Sequence, residues 1–248
     1  MISIKTESEL KLMRTSGRVV GEALAELGKR IKPGVSTQEL DKFAYDFFKK
    51  NDCVPAFLGY HGYPATICTS VNDQVVHGIP GKRVLKEGDI VGIDIGAFYK
   101  GYCGDSARTF AVGKVSQEAQ KLLEVTWEGL NRGIEQCRVG NRISDIGYAV
   151  QEYVESQGFS VVKDYVGHGI GQAMHEEPQV PNYGKPRQGP RIVEGMCLAL
   201  EPMVNVGTDE VKVLEDGWTV VTKDGKFSAH FEDTIAILPD GPENLTRI

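Results

Sequence analysis

The chain has 248 residues, of which 41% are hydrophobic and 25% charged, with a formal net charge of −6. This is the make-up of a globular protein large enough for one big domain or two intimate halves. The acidic balance argues against nucleic-acid binding through bulk charge, leaving only a local basic patch open. Lys5, Glu7, Glu9, Lys11 and Arg14 interrupt the first twenty residues, so they hold no signal-peptide apolar core. No apolar run approaches the roughly 20 residues of a membrane span.

The elements follow in chain order. Thr6-Glu7-Ser8-Glu9 is a capping box that opens a helix, continued by Leu10, Met13, Val20, Leu24 and Leu27 at helical spacing and broken at Pro33-Gly34. Ser36-Thr37-Gln38-Glu39 caps a second helix, with Leu40, Phe43, Phe47 and Phe48 on or near one face. Asp89 to Phe98 and Cys103 to Val112 read as two strands about a turn at Tyr99-Lys100-Gly101. Leu123, Trp127, Leu130 and Ile134 mark a third helix, broken at Gly140-Asn141. Ile146, Ala149, Val150, Tyr153 and Val154 mark a fourth. Residues 161–166, 197–204, 218–222 and 230–237 read as further strands. The sum is α+β, with helices covering one face of an antiparallel sheet.

The plan occurs twice. Glu87-Gly88, an apolar run and Asp94 recur as Glu194-Gly195, an apolar run and Glu201. Asp94 and Glu201 lie 107 apart, and the helix-breaking Gly34 and Gly140 lie 106 apart. We therefore expect a single domain of two pseudo-symmetric halves, about 1–113 and 114–248. The five cysteines are widely spaced with no CxxC pair, which suits free thiols in a reducing cytosol.

An apolar strand that ends in a buried acid needs a cation to meet it. If the hairpin turn centres on Tyr99-Lys100, Asp94 and Asp105 oppose each other across the strands on one face. Two opposed carboxylates repel unless a proton or cation lies between them, although a solvated hairpin with two exposed acids fits this pair equally well. Gly167-His168-Gly169-Ile170-Gly171 bares the backbone around one imidazole, and Glu201 and Glu232 each adjoin an apolar run. Asp94, Asp105, His168, Glu201 and Glu232 together form a hard, oxygen-rich set suited to Mn²⁺, Fe²⁺ or Co²⁺, with Zn²⁺ as an alternative. Two such ions can share a water and lower its pKa toward neutrality.

Across nearly its whole length the sequence closely resembles type I methionine aminopeptidases, which have the pita-bread metallopeptidase fold. The motifs that carry the resemblance are Leu58-Gly59-Tyr60-His61-Gly62-Tyr63-Pro64, Val76-His77-Gly78-Ile79-Pro80, Ile93-Asp94-Ile95-Gly96, Gly104-Asp105, Gly167-His168-Gly169-Ile170-Gly171, His175-Glu176-Glu177-Pro178, Leu200-Glu201-Pro202 and Phe231-Glu232-Asp233-Thr234. It implies that Asp94, Asp105, His168, Glu201 and Glu232 hold two metals, with Asp94 bidentate on one and Asp105 and Glu232 bridging both. It implies that His175 hydrogen-bonds the scissile carbonyl or peptide nitrogen, unless it is a structural loop residue, and that His77 contacts the substrate amide and helps the leaving amine. A metal-bridging hydroxide would attack the first peptide bond, with Glu201 shuttling its proton.

Tyr60, Tyr63, Cys68, Trp218 and His77 would surround a methionine side chain, although ordinary core packing explains aromatics such as Trp218 as well. A flexible thioether packs well against aromatic rings and sulfur. Phe57 and Met174 depart from the family form, in which cysteine and phenylalanine are common there.

The implied activity is hydrolytic excision of N-terminal methionine during maturation of nascent proteins and peptides, with a small second residue preferred. The implied setting is a cytoplasmic monomer with no membrane contact, in transient contact with the ribosome. The short start and the absence of a type II insertion fit the bacterial form. The rival readings are an Xaa-Pro-type aminopeptidase of the same fold, which usually carries an additional N-terminal domain, and a non-catalytic binding module, which would have lost ligands.

Overall fold

A computed structural model describes residues 2–248. Four helices carry the fold: α1 (Glu7–Gly28), α2 (Thr37–Lys50), α3 (Gln117–Glu135) and α4 (Ile143–Ser156). The first two begin at the expected capping boxes. The Thr6 and Ser36 hydroxyls accept from the amides of Glu9 and Glu39, whose carboxylates reach back to the cap amides. Ser116 caps α3 in the same way through its hydroxyl.

In chain order the strands are β1 (Val54–Pro55), β2 (Cys68–Val71), β3 (Gln74–Val76), β4 (Ile90–Tyr99), β5 (Tyr102–Ala111), β6 (Ser160–Val161), β7 (Gly167–Gly169) and β8 (Glu176–Val180). They continue as β9 (Cys197–Leu200), β10 (Met203–Asn205), β11 (Val211–Val213), β12 (Val220–Thr222), β13 (Ser228–His230), β14 (Asp233–Leu238) and β15 (Gly241–Asn244). Every pairing among the described residues is antiparallel. The hydrogen-bonded ladders form four sheets, β1-β4-β2 with β5 on β4, β13-β10-β6, β11-β12-β3 and β15-β14-β9-β7-β8.

Two expectations change in detail. The run 197–204 is broken into β9 and β10 at Glu201-Pro202, where proline has no N–H for the ladder. The hairpin turn centres on Lys100-Gly101, with φ of 46° and 84°, and Tyr99 pairs with Tyr102. Two positive φ angles in a two-residue loop match the twist of the strands. Asp105 therefore faces Gly96 and Asp94 faces Ala107, so the two acids are diagonal neighbours rather than directly opposed. They still share one face, and the missing side chain of Gly96 leaves room for the Asp105 carboxylate, whose Oδ1 lies 3.1 Å from where a Cβ would stand.

Strand alternation separates core from cavity. On β4, Ile93 and Ile95 pack with Leu24, Leu27, Leu40 and Phe48 of α1 and α2, while Asp94 between them turns to the cavity. On β9, Leu198 and Leu200 join Leu122, Leu130, Ile146 and Val150 of α3 and α4. Each such buried aliphatic side chain contributes about 1.5–3 kcal/mol. A third cluster, with Met13, Phe57, Tyr63, Cys68, Met174 and Cys197, lies under the cavity.

Candidate active site

The cavity has a volume of about 200 Å³. All eleven side chains singled out from the sequence line it: Asp94, Asp105, His168, Glu201, Glu232, His77, His175, Tyr60, Tyr63, Cys68 and Trp218. Phe57 and Met174 line it as well. Sequence reasoning missed Tyr165 and Val166, which complete the lining, and His230 behind Glu201. His230 carried no signal in the sequence, because its place in the site comes from its approach to Glu201, a residue distant in the chain.

The acids arrive from distant parts of the chain, and the segments that bear Asp105 and Glu232 are hydrogen-bonded to each other at the site. Ala107 of β5 and Glu232 exchange backbone hydrogen bonds of 3.2 and 2.8 Å. Close by, the Asp105 amide donates to Thr234 Oγ1 at 3.0 Å, and that hydroxyl donates to the Asp105 carbonyl at 2.7 Å. Asn182 fixes the Glu201 carbonyl at 3.0 Å. Asp233, next to Glu232, is held from behind by ion pairs to Arg108 and Arg247, both stacked on Trp127.

Asp105, His168 and Glu232 are buried, whereas Asp94 and Glu201 are partly open to the cavity. Ligand atoms of Asp105, His168 and Glu232 lie within 4.8 Å of one another. Among the described residues, Asp94 Oδ1, Asp105 Oδ1 and Glu232 Oε1 are buried with no hydrogen-bond partner. Burial raises the pKa of all four carboxylates, and mutual repulsion adds to this for Asp94, Glu201 and Glu232. Asp105 is pushed up to about 7 by burial. Orphaned anionic oxygens facing one another are costly as they stand and are what a divalent cation satisfies.

The histidines fit the same picture. Nδ1 of His168 donates to the Gly169 carbonyl at 2.9 Å, so the lone pair on Nε2 points toward Glu201, 3.6 Å away. Burial, reinforced by nearby His175, lowers the His168 pKa to about 4, which keeps the ring neutral and able to ligate. Burial likewise lowers His77 to about 4 and lowers His175. His77 has a φ of 60°, rare for a non-glycine residue and a local strain of the sort that gathers at functional sites.

The Tyr60 hydroxyl meets His175 Nδ1 at 2.8 Å, and the rings of His175 and His168 are 4.3 Å apart, edge to face. Also in the lining, Tyr63 and Trp218 meet edge to face at 5.1 Å. The Tyr63 hydroxyl donates to the carbonyls of Ile67 and Gly78, both at 3.1 Å. Trp218, half-buried, thus forms a cavity wall rather than core interior. Cys68 lies at the base, its thiol pushed well above the usual range by burial and the Asp94 charge, so it is not poised to react.

The wider likeness agrees with this geometry. The model of metallopeptidase family M24 matches residues 11–239. A methionine aminopeptidase of Clostridium acetobutylicum is 57% identical over 247 residues, 99% of each chain. Methionine aminopeptidase 1 of Bacillus subtilis is 56% identical over 248 residues, the whole of both. The crystal structure of a methionine aminopeptidase from Thermotoga maritima superposes with a TM-score of 0.99 at 48% identity, again over the whole of both chains. Agreement along the full chain, in sequence and in the pita-bread fold, makes this protein a member of metallopeptidase family M24.

Proposed function

We propose that the protein is a metal-dependent aminopeptidase that removes N-terminal methionine from nascent proteins and peptides, preferring a small second residue. The observation that carries the reading is the union of two features in one narrow cavity: four carboxylates with His168, and beside them an apolar lining of Tyr63, Cys68, Trp218, Phe57 and Met174, with Cys68 paired directly to Asp94 across the strands. The relatives that match along the full chain carry the same name.

Asp94, Asp105, His168, Glu201 and Glu232 would hold two divalent ions, with Mn²⁺, Fe²⁺ or Co²⁺ suiting their oxygen-rich set. Such ions supply Lewis acidity, a docking point for a free amine and a water of lowered pKa. The chain's own groups do the rest. The apolar lining takes an unbranched thioether side chain by aromatic and sulfur contacts. With the Tyr60 hydroxyl donating to Nδ1, the His175 Nε2 carries a proton and donates to the scissile carbonyl as its oxygen gains charge. Glu201 takes a proton from the attacking water, which bonds to the carbonyl carbon, and the same proton passes to the nitrogen as the C–N bond breaks. His77, across the cavity, contacts the substrate amide near the leaving nitrogen.

The two halves, 1–113 and 114–248, act as one catalytic domain in this reading, because each supplies part of the acidic set. No described helix is long and apolar enough to cross a membrane. A cytoplasmic monomer meeting chains as they leave the ribosome is the setting we propose.

The test is an assay on chelator-stripped protein re-supplied anaerobically with Mn²⁺, Fe²⁺, Co²⁺ or Zn²⁺. Methionine should be released from Met-Ala-Ser but not from its N-acetylated form, and Leu-Ala-Ser and Ala-Pro-Ser should stay intact. Cleavage of Ala-Pro-Ser would instead favour an Xaa-Pro enzyme. Stoichiometric metal binding without any cleavage would favour a binding module.

A further inference from the structure

Lys5 is buried, which is unusual for a lysine, and its ammonium lies 2.6 Å from Glu176 Oε2. The side chains are 3% and 15% exposed. Glu176 directly follows His175, and its other oxygen accepts from the Ala173 amide at 3.2 Å. One carboxylate therefore closes the 173–176 turn, which carries Met174 and His175, and ties that turn to the segment preceding α1.

Two glycines singled out in the sequence make room for this segment. A Cβ on Gly171 would meet Lys5 Cε at 2.5 Å and Glu176 Oε1 at 2.7 Å. A Cβ on Gly195 would meet Ile4 Cγ2 at 2.7 Å and the Lys5 carbonyl at 2.8 Å, and the Lys5 amide donates to the Gly195 carbonyl at 2.7 Å. A second tether runs alongside. Gln172 donates to the Tyr102 hydroxyl at 2.8 Å, and that hydroxyl donates to Glu9 at 2.6 Å.

We propose that Lys5 and Glu176 are positioning residues for His175, a buried ion pair by which the segment preceding α1 sets the imidazole over the cavity. The proposal rests on the role given above to His175. Buried pairs add little net stability but hold an orientation, and removal of one partner strands the other charge. The pair acts on kcat through His175 and leaves the metal ligands, on other strands, undisturbed.

The experiment is a double-mutant cycle with Lys5→Met, His175→Ala and their combination, with kcat, KM and metal affinity measured for each. Lys5→Met should lower kcat at least tenfold with metal affinity kept within about twofold, and should cause no further loss in the His175→Ala background. Lys5→Met with Glu176→Gln should not recover kcat, because the ionic tether to the segment preceding α1 is absent from it as well; recovery would mean that only the stranded charge had mattered and would overturn the proposal. Losses that multiply across the cycle, or wild-type kcat in a folded Lys5→Met protein, would overturn the proposal. If Lys5→Met does not fold, Glu176→Gln alone carries the same expectations.

A readout independent of turnover uses the ring signals of the five histidines in the NMR spectrum of chelated protein. Lys5→Met should move or broaden those of His175 and spare those of His230. An unchanged His175 signal refutes positioning even if the enzyme is active. An inactive wild type refutes the role of His175 while the NMR result still decides whether the pair orients the ring.

Discussion

Glu201 stands between two imidazoles. Its Oε1 is 3.6 Å from His168 Nε2 and its Oε2 is 3.6 Å from His230 Nε2. Burial lowers the pKa of both rings, to about 4 and about 3, so neither neutralises the carboxylate by protonation near neutral pH. Glu201 is thus an acid raised in pKa by burial and like charge, partly open to the cavity and flanked by neutral rings. These are the properties of a group that both accepts and returns a proton.

Replacing Glu201 by Gln keeps shape and removes that capacity. We expect kcat to fall about 10²–10⁴-fold. Circular dichroism and thermal melting should report a folded protein. Wild-type turnover in this variant would end its assignment as proton carrier.

His175→Ala should lower kcat about 10²–10³-fold through loss of a donor to developing oxyanion charge. Equilibrium dialysis should find metal affinity within about twofold of wild type, because His175 lies outside the five-residue set proposed to hold the ions and its Nδ1 is engaged by the Tyr60 hydroxyl. A large loss of metal would instead make it a ligand or the support of one.

The pH dependence of the chelated protein should carry the signature of crowded acids. A carboxylate whose folded pKa is raised favours the fold fully below its unfolded value, and that contribution is lost as pH climbs through the folded value. For Asp105 the window runs from 3.8 to about 7, worth up to ~4 kcal/mol. His77, His168 and His230, lowered by burial, have the opposite sign and lose stability as pH falls below their ordinary value. A difference measurement isolates the acid. The Tm of Asp105→Asn minus that of wild type, both in chelator, should grow between pH 4 and pH 7. Added Mn²⁺ or Co²⁺ should reverse the order at pH 7 by favouring the wild type. A flat difference would mean that the Asp105 carboxylate is not strained in the metal-free fold.

All five cysteines are free and buried. Burial pushes Cys53 up to about 11 and Cys197 up to about 12, and pushes Cys68 and Cys103 well above the usual range. Iodoacetamide at pH 8 should label none of them rapidly in the native protein and all five in denaturant, as read by intact mass. Fast single labelling at Cys68 would show that the cavity floor opens to solvent.

Local chemistry was the legible part of this molecule. The capping boxes at Thr6 and Ser36 announced α1 and α2 to the residue, because a cap depends only on its own turn. The shared face of Asp94 and Asp105 was legible too, since strand parity survives a shift of two in pairing. The register was not, because it depends on whether Lys100 accepts a positive φ, which a turn-poor pair such as Tyr99-Lys100 conceals. His230 escaped because its importance lies in facing Glu201, 29 positions earlier in the chain, and contacts of that kind are made only by the assembled sheets.

The backbone exchange between Ala107 and Glu232 has a consequence for how the protein comes apart. It joins the strand that bears Asp105 to the residue that supplies the opposing acid. An ion held by both would work as a rivet through a seam, so metal loss and parting of these two segments become a single event. Chelation should then loosen the amide of Glu232 to hydrogen exchange well before those of α1 or α3. A chain starved of its ion would become vulnerable to proteolysis first along this line, and metal supply would set how long the protein survives as well as how fast it works.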